Sequence, residues 1–180
     1  MLCIKPNLLL IFSVLILLSC NNSKEHKVTS KEILYSYHSN KKASYFSLPP
    51  GIVSVFLDDS KKGNPELKSL LGDINSLTFL IFNKDSIINK DCKYYKEISM
   101  RLDSINFFDL AQLNNGKELI KVKFEGDSNN FNELFFLISN YKSLYCISLQ
   151  GNIDPGKVAQ LIKPENISAV SNLDRFDRKK

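Results

Sequence analysis

Cys20 is the residue whose type and setting point most directly to a chemical event. It follows Leu17-Leu18-Ser19, and the four residues together resemble the lipobox read by bacterial lipoprotein signal peptidase. In that chemistry the thiol receives a diacylglyceryl group through a thioether, the chain is cut before the cysteine, and the freed amine is acylated. The residues ahead of it fit this expectation: Lys5 supplies a positive start, and Leu8 to Leu18 form an apolar run broken only by Ser13. A charged start, an apolar centre and a small residue before the cut make a secretory signal. The run is short for a transmembrane span, which needs about 20 residues. Two or three acyl chains would hold the protein to a membrane stably where one is marginal. An uncleaved N-terminal anchor with an incidental Cys20 is the alternative.

Other residue types offer less. The two histidines, His26 and His38, both fall in a polar stretch after Cys20, so a nucleophile–histidine–acid constellation is not expected. No Cys-x-x-Cys or His-x-x-x-His occurs, and no metal site is expected. With Cys3 and Cys20 used in the signal, Cys92 and Cys146 remain; an oxidising compartment permits a disulfide between them, and two semi-buried thiols are the other outcome. Asp58-Asp59, Asp103 with Asp109, and Asp174 with Asp177 are acid pairs that could act as acid and base or hold calcium. Solvated loop charges explain them more simply. Lys121 and Lys123 could meet an anion, or could line the wet face of a sheet. There is no Gly-x-Gly-x-x-Gly and no phosphate loop, and no cofactor is expected. The formal charge of +5, reduced by one when Lys5 leaves with the signal, is too mild and too mixed with acids to suggest nucleic acid.

The elements that would position these residues follow from pattern. Residues 1–19 are the signal, and 20–43 form a polar tether unable to bury enough apolar surface to fold alone. Ser47-Leu48-Pro49-Pro50-Gly51 opens a short helix with Ser47 as cap, and Pro65 starts a second helix ended at Gly72. Leu77 to Phe82 is a strand apolar on both faces. A third helix runs from about Lys90 to Ser104, with Cys92, Tyr95, Ile98 and Leu102 at intervals of three and four. From Phe107 the period becomes two. Phe107–Leu113 and Leu119–Glu125 form a hairpin across Asn114-Asn115-Gly116, and Glu133–Ser139 with Leu144–Gln150 form another. Asp154-Pro155-Gly156 begins a last helix, and residues 164–180 are a loose polar tail. The expected fold is a single α+β domain, with a mainly antiparallel sheet of about five strands packed with about four helices. In Leu134-Phe135-Phe136-Leu137-Ile138 both faces are apolar, so either helices cover the second face or a patch is left for a partner.

Three segments carry a resemblance: Tyr45 to Gly51, Ser76 to Phe82, and Ser148-Leu149-Gln150-Gly151-Asn152-Ile153-Asp154. Together they resemble the envelope lipoproteins of the DUF4252 family, over about residues 44–163. The resemblance implies a small lipoprotein without a catalytic signature. The expectation is therefore a non-enzymatic, lipid-anchored envelope protein that meets the membrane through its N-terminal lipid and binds a partner protein or small ligand. Its expected place is the outer membrane, facing the periplasm, with surface display left open. The competing expectation is an envelope hydrolase built from carboxylates and hydroxyls without histidine.

Overall fold

Runs of alternating and doubly apolar residues from Ile74 to Ile153 favour extended chain, because side chains of a strand point to opposite faces in turn. The structure, a computed structural model, describes residues 27–83, 93–114 and 116–176. In chain order these hold α1 (Ser30–Tyr35), β1 (Ala43–Leu48), α2 (Pro50–Val55), α3 (Asn64–Leu71), β2 (Ile74–Asn83) and α4 (Lys93–Asp103). There follow β3 (Phe108–Asn114), β4 (Glu118–Gly126), β5 (Phe131–Asn140), β6 (Ser143–Ile153), α5 (Pro155–Leu161), α6 (Ser168–Ser171) and a 3-10 turn over Asn172–Phe176. All strand pairings are antiparallel, in one sheet of order β1-β2-β6-β5-β4-β3.

Helices cover both faces of this sheet. On one, Leu77, Phe79, Leu134, Phe136, Ile147 and Leu149 pack against α2, α3, α5 and α6 through residues such as Val53, Leu67, Leu70, Val158 and Val170. On the other, Leu80, Phe82, Phe135, Leu137, Leu144 and Cys146 pack against Ile33 and Leu34 of α1 and Ile98 and Leu102 of α4. The doubly apolar β5 is thus buried on both sides, which answers the question its sequence raised.

Four expectations are corrected. First, the chain from Lys27 to Lys42 is not a free tether: Ile33, Leu34 and Tyr37 are buried. A capping box opens α1, with Thr29 Oγ1 accepting from the Glu32 N–H and the Glu32 carboxylate accepting from the Thr29 N–H, so the first orphan donors of the helix are satisfied. Second, the sheet has six strands, because Ala43–Leu48 pairs with β2. Ser47 is therefore a strand residue, its hydroxyl 3.0 Å from Thr78 Oγ1; Pro49 holds the N-cap of α2 and Pro50 begins the helix. Third, the chain after Lys163 stays attached, with Ile167, Ala169, Val170 and Leu173 buried. Fourth, the Lys121–Lys123 face of β4 is not wet. It faces α4, and the Lys123 side chain is 0% exposed.

Candidate functional site

Lys123 could be buried only because carboxylates meet it. Asp103 at the end of α4 and Asp109 in β3 each place an oxygen 2.5 Å from its Nζ, and Lys121 Nζ lies 3.0 Å from Asp109 Oδ2. Two pairs that the sequence offered separately, one acidic and one basic, therefore form a single ion cluster. Burial alone would raise the Asp109 carboxyl, but the ammonium groups of Lys123 and Lys121 more than offset this and hold it below the usual carboxylate range. The charges cancel locally and the cluster pins α4 to β3 and β4; it is a structural clasp. Asp58 and Asp59 are likewise engaged locally, Asp58 with Ser60 and Asp59 with Lys68.

A different carboxylate has the setting of a functional group. Glu133 stands near the start of β5, on the face covered by α1, and is 8% exposed. Its Oε1 accepts hydrogen bonds from Ser30 Oγ at 2.5 Å and Ser148 Oγ at 2.6 Å, and its Oε2 accepts one from Gln150 Nε2 at 3.0 Å. The register explains the meeting: Glu133 stands opposite Gln150 across the β5–β6 pair, Ser148 is two residues along the same face, and the first turn of α1 lies over both. Burial pushes the Glu133 carboxyl up, with the Glu125 charge adding to it, while the three donors draw it part of the way back.

Glu133 and Gln150 line a cavity of about 150 Å³ together with the segment Lys27 to Ser30, with Ile105 and Phe107, and with a second acid, Glu125. A second hollow of about 450 Å³ shares Lys27, Val28 and Ile105 and extends past Ile33 to Arg101, Ser104 and Asn106. The two make one groove between the segment leading into α1 and the connection from α4 to β3. Asn106 takes a positive φ of 68° there, a conformation asparagine tolerates better than most residues. Arg101 is held at the mouth, its Nη1 donating to Ser36 Oγ at 2.9 Å and its guanidinium 5.5 Å from the Tyr37 ring centroid. Lys27 Nζ lies 3.9 Å from Glu125 Oε1. The smaller hollow therefore holds the acids Glu133 and Glu125, the larger one holds Arg101, and Lys27, Val28 and Ile105 line both.

Of the residues singled out from sequence, Leu17, Leu18, Ser19, Cys20 and Cys92 lie outside the described residues, as do His26 and Asp177. The proposed Cys92–Cys146 pair falls there with Cys92. Cys146 itself is buried on the α1–α4 side of the sheet. His38 is exposed just after α1 and stacks on Tyr35 with ring centroids 4.3 Å apart. Among the described residues no cluster of three or more histidine, cysteine or carboxylate groups is placed to hold a metal, and no helix is long and apolar enough to cross a membrane. Glu133 went unmarked in the sequence because an acid at the start of an apolar strand reads as its polar border; the signal was its place in the two-residue alternation, on the same face as Phe135 and Leu137.

The family model described as Domain of unknown function (DUF4252) matches residues 37–161. The chain belongs to the DUF4252 family. Of the site residues, the match takes in Glu133, Ser148, Gln150, Arg101 and the ion cluster, whereas Lys27 to Ser30, which wall the groove, precede it. No curated protein matches, and no solved structure matches.

Proposed function

We propose that this DUF4252 protein is a lipid-anchored cell-envelope protein, attached through Cys20 to the outer membrane on its periplasmic side, whose domain is a non-catalytic binding module. The observation that carries the binding reading is the groove itself: a nine-tenths-buried carboxylate at the floor of a partly apolar hollow is the usual makeup of a small-ligand site. The lipobox at Leu17-Leu18-Ser19-Cys20 supports the anchor. The test is native mass spectrometry of the protein purified from membranes in mild detergent, alongside Val28→Phe, which fills the groove. A bound molecule carried by the first and lost from the second is expected; identical content in both contradicts the reading.

A second reading is favoured by one contact. The Glu133 carboxylate accepts from two serine hydroxyls, the pairing by which a base activates a nucleophile, and a hydrolase without histidine would use it. Ser30 and Ser148 are each only 2% exposed, which weighs for a structural hydrogen bond. Labelling of either serine by a fluorophosphonate probe would establish the hydrolase; unlabelled protein is the expected result.

A further inference from the structure

The chain that walls the groove is also the chain that leads to the anchor. Lys27 is seven residue steps along the chain from Cys20, and a fully extended chain covers at most about 3.6 Å per step, so the groove lies within roughly 25 Å of the lipidated cysteine. Along the groove the acids Glu133 and Glu125 line the smaller hollow, Val28, Ile105 and Lys27 line both hollows with Lys27 Nζ 3.9 Å from Glu125 Oε1, and Arg101 lines the larger one. That order complements a zwitterion whose cation is terminal and whose anion lies nearer the body that carries it.

We propose that the groove seats the headgroup of a phosphatidylethanolamine-type lipid drawn from the anchoring membrane, its ammonium against Glu133 and its phosphate between Lys27 and Arg101. The inference rests on the lipid-anchored binding reading above and names its ligand. Three features argue for this occupant. Glu133 Oε2 accepts a single hydrogen bond, from Gln150, and a carboxylate oxygen has room for a further donor; a primary ammonium supplies one, and a trimethylated head cannot. The floor cavity of about 150 Å³ is of the size that takes a benzene-sized molecule, enough for an ethanolammonium arm. Arg101 presents a guanidinium fixed by Ser36 and Tyr37, and such a planar donor suits a phosphate. A counter-cation also offsets the cost of keeping Glu133 ionised in a buried position, which its raised pKa reflects.

The test is calorimetric titration of the full mature chain, in a non-ionic detergent, with short-chain phosphatidylethanolamine and with phosphatidylglycerol of the same chains. The expected preference for the ethanolamine lipid is at least about tenfold, a difference of about 1.4 kcal/mol. Glu133→Gln should erase that preference. This variant keeps the shape and the acceptor for Ser30 and Ser148, and Gln150 can turn its amide to match. Should it unfold, Arg101→Gln at the mouth replaces it and should weaken both lipids by a similar factor. Equal affinity for the two lipids, a preference that survives folded Glu133→Gln, or equally tight binding of soluble phosphoethanolamine would overturn the proposal. Intact mass of the same preparation reports the acyl chains on Cys20. An acylated protein without the preference sinks the headgroup alone, and an unacylated one sinks the anchor whatever the titration gives.

Discussion

Glu133 is a carboxylate held in a place where its charge is costly, and this has a consequence for stability against pH. Its folded pKa is raised by burial, so between the ordinary carboxylate range and that raised value the folded chain binds more protons than the unfolded one. Stability from this group is complete below the unfolded pKa and falls as pH rises to and through the folded one. Glu133→Gln cannot titrate, so its stability relative to the parent should climb as pH rises from acid toward neutral, measured by urea unfolding at several pH values. A stability difference, variant minus parent, that stays constant or falls as pH rises would contradict this account. Lys123 makes the opposite case. Removing one partner of a buried ion pair is costly, at roughly 3–5 kcal/mol, when the charge left behind is itself buried. Lys123→Met leaves only Asp103 and Asp109, whose side chains are more than half exposed and stay solvated, whereas stripping both acids strands the fully buried Lys123. Lys123→Met is therefore expected to leave the unfolding midpoint nearly unchanged. Asp103→Asn with Asp109→Asn should cost toward the lower end of that range, because both acids are more than half exposed and water screens part of the effect. Denaturation of the two variants side by side checks the contrast.

α1 is the element whose role was hardest to see before the fold was known. Its six residues, Ser-Lys-Glu-Ile-Leu-Tyr, hold only Ile33 and Leu34 as aliphatic groups amid polar neighbours, and a segment so short has no measurable apolar period. The capping box at Thr29 and Glu32 was the one local sign of it. Tertiary packing decides the matter: Ile33 and Leu34 share with Ile98 and Leu102 of α4 the cover over Phe82, Phe135 and Leu137, and without them part of that face would be open to water. Leu34→Ala is accordingly expected to cost about 2–5 kcal/mol, as for other fully buried leucines, measurable by thermal or urea unfolding; a loss under half a kcal/mol would return the segment to the status of a tether. The long strands were legible because their alternation runs over many residues, and Asn114-Asn115-Gly116 marked its hairpin correctly, with Gly116 at a φ of 79°. β1 was hidden because Ser47-Leu48-Pro49-Pro50 reads as the approach to a helix, which it is; the strand ends where those prolines begin. Gly151, within one of the segments that carry the family resemblance, has a reason in the fold: a Cβ there would lie 2.0 Å from the Asp73 carbonyl oxygen, so the chains can approach only with glycine.

For the whole molecule, the main change from the sequence expectation is distance. If Cys20 carries the proposed lipid, a free linker from residue 20 to 43 would let the domain range on the order of 80 Å from it, while a chain packed on the domain from Lys27 onward would hold it within about 25 Å. The ion clasp and the Glu133 groove were beyond the reach of sequence for a common reason. Each joins residues from at least three elements: α4, β3 and β4 in the one, α1, β5 and β6 in the other. Only the sheet order brings those together. Acids and lysines that look like solvated charges along the chain become partners when α4 closes over β4. The proposed anchor is the reverse case, a local signal complete within Leu17-Leu18-Ser19-Cys20, and every consequence drawn for position and reach depends on it. The most direct measurement is therefore intact-mass analysis of the protein recovered from membranes, with Cys20→Ala as control. The expected result is a parent chain that begins at Cys20 and carries diacylglyceryl and acyl mass, and a variant that accumulates as uncut precursor without lipid. A parent that retains its first 19 residues, or a Cys20→Ala chain that is processed and held at the membrane like the parent, would contradict the account.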